Sequence, residues 1–286
     1  MKPVELLWVT PRNHKVFVWH VSPETKPKAL ILLVHGHGEH SKRYLNWANK
    51  FVEKGYAFLS WDLIGHGKSD GQRGHIHHYE QLLLDIDLAV NKGNEFYPNV
   101  PIILYGHSMG GNIVLNHAIR RCCSVKGVIA TSPWIKLAKP VSPFLERAVT
   151  VLNYILPFIP IKSSVLPSDI SHLEEEVQMY KNDPLVHNKI TPRLYVAIRR
   201  AGEYILKYAK RIKTPLLLMH GEDDPVTLFD ASKEISTKFD CCTFVPWPNM
   251  YHELHNETVR GLVFETITKW IDSVIALDSK KCNEPL

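Results

Sequence analysis

Short apolar runs at 29–34, 56–61, 101–106, 126–130 and 215–220 punctuate the chain, each rich in Val, Ile and Leu and each of strand length. Runs without polar alternation are what strands buried on both faces require. Amphipathic stretches of helix length separate them, at 44–54, 79–96 and 110–121. Strand, helix, strand, helix is the order that builds a mostly parallel sheet covered by helices, with its ligand crevice at the carboxyl ends of the strands.

From 134 to 209 the alternation stops. The segment is helical and irregular, punctuated by prolines such as Pro140, Pro143, Pro157, Pro160 and Pro167. We read it as a helical cap inserted into a single domain spanning 1–286. Beyond it the alternation resumes, with a helix near 228–239, a strand near 242–246 and a closing helix near 259–276. Within the cap, Leu145, Val149, Leu152, Ile155, Leu156 and Ile159 recur at helical spacing and form one apolar face. Two readings stand side by side: the face packs against the main domain, or it is a lid that touches lipid aggregates, with Lys136, Lys139 and Arg147 favouring anionic surfaces.

Composition narrows the class. The 286 residues are 45% hydrophobic and 22% charged, proportions that bury a large core and exclude disorder, collagen and coiled coil. The formal charge of +5 is spread along the chain rather than gathered into a basic run, so nucleic acid is not among the predicted partners. Five cysteines fall as Cys122–Cys123, Cys241–Cys242 and Cys282, without framework spacing, and are read as reduced and mostly buried thiols. The start of the chain has no apolar leader pattern, and the apolar stretch 148–161 is too short and too interrupted to span a bilayer. The expectation is a cytoplasmic protein, peripheral at membranes if the lid reading holds.

The strongest chemical signal is Gly106-His107-Ser108-Met109-Gly110, a G-x-S-x-G between a buried strand and a helix. A nucleophile on a strand-to-helix turn needs glycines two positions either side, because a Cβ there would meet the crowded backbone. The following helix points its N–H groups at the serine, and the Met109 N–H faces a developing oxyanion. A serine also needs a histidine base and a carboxylate, in the chain order Ser, Asp, His. Asp224 is the choice for the acid, with Glu222 and Asp223 as rivals in the same loop. His252 and His255 compete for the base. The run His35-Gly36-His37-Gly38-Glu39-His40 invites a metal reading, but a glycine-rich loop does not fix ligand faces. Its better use is to donate the second oxyanion N–H, from His37. The glycine-rich loop 62–71 is assigned to structure, and His75, His77 and His78 to a solvated helix entry.

Taken together, the motifs resemble those of the monoacylglycerol lipase and lysophospholipase branch of the α/β-hydrolases. The resemblance is carried by H-G-x-G-E-H-S-x-R-Y at 35–44, D-x-x-G-H-G-x-S-x-G at 62–71 and G-H-S-M-G-G at 106–111. It continues in Y-x-x-D-P-L at 180–185, G-x-x-D ending at Asp224 and Y-H-x-L-H at 251–255. It implies the α/β-hydrolase fold, with a mostly parallel eight-stranded sheet, helices on both faces and an inserted helical cap. It further implies Ser108 as nucleophile, Asp224 as acid, His252 as base, and oxyanion donors at His37 and Met109. Glu39, Arg43, His107, Tyr180 and His255 fall where the resembling lipases line the alcohol pocket. The implied reaction is cleavage of the ester bond of monoacylglycerols, releasing fatty acid and glycerol through an acyl-enzyme, with no cofactor and no metal. A lysophospholipase, a broad carboxylesterase, acyl transfer or halide-dependent oxidation on the same triad, and a non-catalytic receptor on the same scaffold are the competing readings.

Overall fold

The computed structural model describes residues 2–121, 125–239 and 241–281. Its centre is an eight-stranded sheet built from β1 (Val4–Val9), β2 (Lys15–Val21), β3 (Leu30–Val34), β4 (Ala57–Trp61), β5 (Ile102–His107), β6 (Gly127–Thr131), β9 (Leu216–Gly221) and β10 (Cys242–Trp247). The spatial order is β1-β2-β4-β3-β5-β6-β9-β10. From β4 to β10 every neighbouring pair is parallel, and β2 alone runs against the rest, pairing with β1 and β4 in antiparallel register. The five apolar runs are β3, β4, β5, β6 and β9, and all five are buried along their whole length.

Burial on both faces follows from the period of two along a strand. In β3, Leu30, Leu32 and Val34 enter one apolar cluster while Ile31 and Leu33 enter the other. The first cluster lies under α2 (Glu80–Phe96), α3 (Met109–Arg120), α6 (Pro192–Tyr208) and α7 (Phe229–Ser236), through Leu82, Ile113, Leu194 and Ile235. The second lies under α1 (Leu45–Glu53) and α8 (Arg260–Lys281), through Trp47, Phe51, Ile267 and Ile271. Each fully buried Leu or Ile contributes about 1.5–3 kcal/mol relative to exposure, so this double-sided sheet is a stiff platform for whatever stands at its strand ends.

Between β6 and β9 the chain leaves the sheet and forms α4 (Pro143–Ile155), a two-residue ribbon of β7 (Ile161–Lys162) with β8 (Lys189–Ile190), and α5 (Glu174–Asn182). The helix α4 starts where Ser142 caps it, accepting the Leu145 N–H at 3.3 Å, with Pro143 in the first turn. Thr191 and Pro192 start α6 the same way. Although it lies within the span read as cap, α6 packs into the layer over the sheet. Its Ile198 and Ala201 carbonyls accept from Asn112 and Asn116 of α3, and Ile135 lies against Gly202, where a Cβ would strike the Ile135 carbonyl. The part standing clear of the sheet is therefore the stretch from about Ser142 to Thr191. On α4 only Val149 and Asn153 are buried, while Phe144, Leu145, Val151, Leu152, Tyr154 and Ile155 are exposed. The apolar face of the excursion thus extends outward as well as inward.

Among the described residues no helix is long and apolar enough to cross a membrane. Cys241 and Cys242 are half-buried; the Cys241 thiol donates to the Thr214 carbonyl at 3.3 Å, and burial pushes the Cys242 thiol up to about 12. Cys122, Cys123 and Cys282 lie outside the described residues. His77 and His78 are exposed before α2, and the loop at 62–71 is held by Asp62, which accepts from the Ser41 and Lys68 backbone N–H groups.

Candidate active site

At the end of β5 the backbone turns sharply into α3, and Ser108 sits at the corner with φ 53 and ψ −116. That region is costly for a residue with a Cβ, by about 1–3 kcal/mol, and persists only when the surroundings over-determine it. They do. The Ser108 N–H donates to Thr131 at 3.0 Å, while its carbonyl accepts from Asn112 and Trp134 at 3.0 and 2.9 Å. A Cβ on Gly106 would strike the Gly110 carbonyl, and one on Gly110 would strike the Val34 carbonyl. Both glycines of the G-x-S-x-G are therefore sterically required. Met109 occupies the first position of α3, where a helix leaves its N–H groups without intrahelical acceptors.

The loop after β3 comes up beside this corner. A Cβ on Gly36 would stand 3.2 Å from the Ser108 Cβ, so the approach needs glycine. The loop is held by Glu39, whose Oε1 accepts the Gly36 N–H at 2.6 Å and the Tyr44 hydroxyl at 2.9 Å. His35 Nε2 accepts the Leu63 N–H at 2.9 Å and its Nδ1 donates to the Gly36 carbonyl at 2.8 Å, which fixes one tautomer. The His37 ring lies edge-on to His66, Trp134 and His187 and donates from Nε2 to the Lys189 carbonyl at 3.0 Å, so it fastens the loop to the base of the excursion. Burial, reinforced by His187, holds it down to about 4. The four polar side chains of the run 35–40 thus share no common centre, His35 and Glu39 holding the backbone of Gly36, His37 reaching Lys189 and His40 reaching Asp183 at 2.8 Å. Among the described residues no three His, Cys, Asp or Glu side chains converge to hold a metal ion.

In the loop after β9, Asp224 is buried while Glu222 and Asp223 are exposed. Asp224 Oδ1 accepts the Val226 and Thr227 N–H groups at 2.8 and 3.0 Å; Oδ2 lies 2.7 Å from His252 Nδ1, 2.8 Å from the Thr227 hydroxyl and 3.0 Å from His220 Nε2. Burial opposes its ionisation, but His252 and His220 outweigh it and hold the carboxyl well below the usual carboxylate range. The partner moves the other way: burial depresses the His252 imidazolium, Asp224 more than offsets this, and the ring ends above its ordinary value. Of the two histidines His252 is the one within hydrogen-bond reach of Asp224, whereas His255 stacks on Tyr44 at 4.6 Å with both ring nitrogens buried and unpartnered. Burial pulls it down to about 4.

Ser108 and His252 share the wall of a cavity of about 210 Å³. Its apolar lining comes largely from the excursion and its flanks, including Leu137, Leu145, Val149 and Ile170, with Val226 from the loop after β9; polar lining comes from Glu39, His107, Tyr180 and Glu253. Of the residues assigned to an alcohol pocket, Glu39, His107 and Tyr180 therefore reach the cavity, whereas Arg43 and His255 are not among its lining residues. Arg43 donates to Glu253 through two nitrogens at 2.6 and 2.8 Å and to Glu39 at 2.7 Å, under the Tyr180 ring at 4.7 Å. The sequence reading missed Glu253. Its one available signal was position, a carboxylate between two candidate histidines, which does not separate it from any surface glutamate. Against burial, Arg43 holds the Glu253 carboxyl well below its ordinary value.

Residues 25–259 match the family described as serine aminopeptidase, S33. An uncharacterised abhydrolase domain-containing protein of Dictyostelium discoideum is 36% identical over 87% of this chain, which spans 27% of that protein's length. A monoacylglycerol lipase of Mycolicibacterium smegmatis is 33% identical over 90% of this chain and 91% of its own. Among solved structures, a monoacylglycerol lipase of Paleococcus ferrophilus superposes with a TM-score of 0.82 at 27% identity, covering 96% of this chain and 99% of that one.

Proposed function

Since the chain belongs to the serine aminopeptidase S33 family and has the α/β-hydrolase fold, we propose that it cleaves the ester bond of monoacylglycerols, releasing fatty acid and glycerol through an acyl-enzyme. The observation that carries the reading is the convergence of Ser108 and an Asp224-held His252 on one cavity whose walls are largely apolar. An apolar wall suits an acyl chain better than the charged amino terminus of a peptide.

In this mechanism Ser108 Oγ attacks the ester carbonyl while His252 Nε2 takes its proton, and Asp224 holds Nδ1 and stabilises the imidazolium that forms. The N–H groups of Met109 and His37 receive the oxyanion, one from the start of α3 and one from the loop that Glu39 pins. His252 then protonates the departing glycerol oxygen and later activates the water that releases the fatty acid. Glu39, His107, Tyr180 and Glu253 face the alcohol, with Arg43 fixing that wall from behind. The exposed apolar residues of α4 are the surface through which the protein reaches lipid aggregates.

A fluorophosphonate probe followed by peptide mass mapping tests the assignment. One adduct is expected, on Ser108, with labelling slowed by His252→Gln and abolished by Ser108→Ala. An adduct on any other residue, or labelling that survives Ser108→Ala, would overturn it.

A further inference from the structure

A second cavity, of about 450 Å³, opens between α6, the end of α3 and the loop leading into α2, and it shares no residue with the one at Ser108. Three arginines line it, Arg120, Arg193 and Arg200, with Glu80 the one carboxylate among its lining residues. Glu80 already pairs with Arg121, which also reaches Asp87, so its charge is answered from outside the cavity. The three arginines are not. Arg193 donates to the Asn153 carbonyl and Arg200 to the Tyr154 hydroxyl, both at 3.4 Å, and Arg120 donates to the Asn116 side chain at 3.0 Å while stacking 3.8 Å from the Tyr204 ring. Every one of these partners is neutral, and among the described residues none of the three arginines makes an ion pair with a carboxylate. Asn153 is a further lining residue, 4% exposed, and its Oδ1 has no hydrogen-bond partner.

Three guanidinium forks around one concavity are suited to a tetrahedral, doubly charged oxygen group, which they engage bidentately. A buried, unpartnered amide oxygen beside them asks for a hydroxyl donor. The location says where such a group would come from. Asn153 and Tyr154 belong to α4, and Arg193 also lines an adjoining cleft with Phe158. Tyr154, Ile155 and Phe158 are 70%, 66% and 52% exposed, so the arginines stand directly beside the apolar surface through which the cap is read to meet lipid. A helix whose apolar side chains enter the acyl boundary leaves flanking arginines at the depth of the phosphates.

We propose that the Arg120–Arg193–Arg200 cavity is a binding site for the phosphate and hydroxyl-bearing headgroup of an anionic glycerophospholipid. It orients the cap on the bilayer while the separate cavity at Ser108 takes the substrate. The inference rests on the reading of the α4 face as a lipid-contact surface and is independent of the assignment of Ser108.

The test is partitioning of the full chain onto vesicles of phosphatidylcholine alone and of phosphatidylcholine mixed with phosphatidylglycerol, alongside hydrolysis of a soluble short-chain ester. For Arg193→Gln with Arg200→Gln, affinity for the anionic vesicles falls about thirty-fold, the loss two near-surface charges carry, with neutral-vesicle binding and soluble-ester turnover unchanged. Arg193→Lys with Arg200→Lys keeps the charges, loses the forks and falls between. Equal anionic-vesicle binding by the Gln variant and the unaltered protein would overturn the proposal, as would an equal loss on both vesicle types. So would tight saturable binding of inorganic phosphate in free solution that the Gln substitutions abolish, which would assign the cavity to a soluble phosphate instead of a lipid headgroup. Failure of the α4 reading shows separately, as neutral-vesicle binding unaffected by Leu152→Ser with Ile155→Ser.

Discussion

Replacing Arg43 by Met strands two carboxylates in the wall of the Ser108 cavity. In the protein as it stands, the guanidinium contacts Glu253 at 2.6 and 2.8 Å and Glu39 at 2.7 Å, with the side chains of all three residues at most 8% exposed. Removing one partner of a buried pair costs about 3–5 kcal/mol, mostly the cost of an uncompensated buried charge. At about 2–4 °C per kcal/mol for large domains, the midpoint of thermal unfolding should fall by about 6–20 °C near pH 8. The loss should depend on pH, and the sign follows from Glu253. Arg43 keeps its folded pKa depressed, so the pair contributes stability that is present above the ordinary Glu value and is lost as pH falls through the folded one. In Arg43→Met burial dominates instead, the carboxyl takes up a proton more readily, and the gap to the unaltered protein should narrow from pH 8 toward pH 5. Because Glu39 also holds the Gly36 N–H, kcat should fall while KM changes little, by no more than the 10²–10³ that one oxyanion donor is worth. Thermal unfolding by circular dichroism across that pH range, with the triple variant Arg43→Met, Glu39→Gln, Glu253→Gln as companion, is the assay. Recovery of most of the lost stability in the triple variant is expected. A loss below about 1 kcal/mol, or one equal at pH 5 and pH 8, would refute the reasoning.

Three further outcomes follow from the same geometry. Asp224→Asn should lower kcat by about 10⁴, and because Asp224 holds the His252 pKa up, the acid limb of kcat/KM should move to lower pH; an unmoved limb would contradict the pairing. Asp85, buried on α2, has its carboxyl raised by burial to about 7, so between its ordinary value and pH 7 folding stability is lost as pH rises. Asp85→Asn should remove that loss and gain up to about 4 kcal/mol over the protein as it stands at pH 7 relative to pH 4, read by denaturant titration at both pH values. Leu152→Ser with Ile155→Ser should weaken liposome binding more than turnover of a soluble short ester, and equal losses in both would sink the lipid-contact reading of α4.

Much of the fold was legible because a strand buried on both faces carries an unmistakable run of apolar residues. β3 to β6 and β9 begin and end within about a residue of those runs. The antiparallel start, β1 and β2, could not be placed from the sequence, since its direction is set by the pairing of β2 with β1 and β4 and not by local pattern. The strand-to-helix corner at Ser108 could be read from Gly106 and Gly110 because steric demand leaves a fixed spacing. Asp224 could not be separated from Glu222 and Asp223 by spacing. What distinguishes it is burial against β9 and the backbone N–H groups of Val226 and Thr227, a three-dimensional property. Glu253 was missed for the same reason, as its partner Arg43 lies over two hundred residues away in sequence. Periodicity showed that α4 has an apolar face but not what covers it, and it did not separate α4 from α6, whose similar face is buried on α3.

The central claim is most directly tested by hydrolysis of a monoacylglycerol chain-length series beside a lysophosphatidylcholine of matched acyl chain, for the unaltered protein and for Ser108→Ala. The account predicts that the monoacylglycerol is preferred by more than about tenfold in kcat/KM, near 1.4 kcal/mol in transition-state binding, and that Ser108→Ala abolishes turnover of both. A preference for the lysophospholipid would contradict the assigned alcohol wall, and undiminished turnover by Ser108→Ala would contradict the mechanism itself.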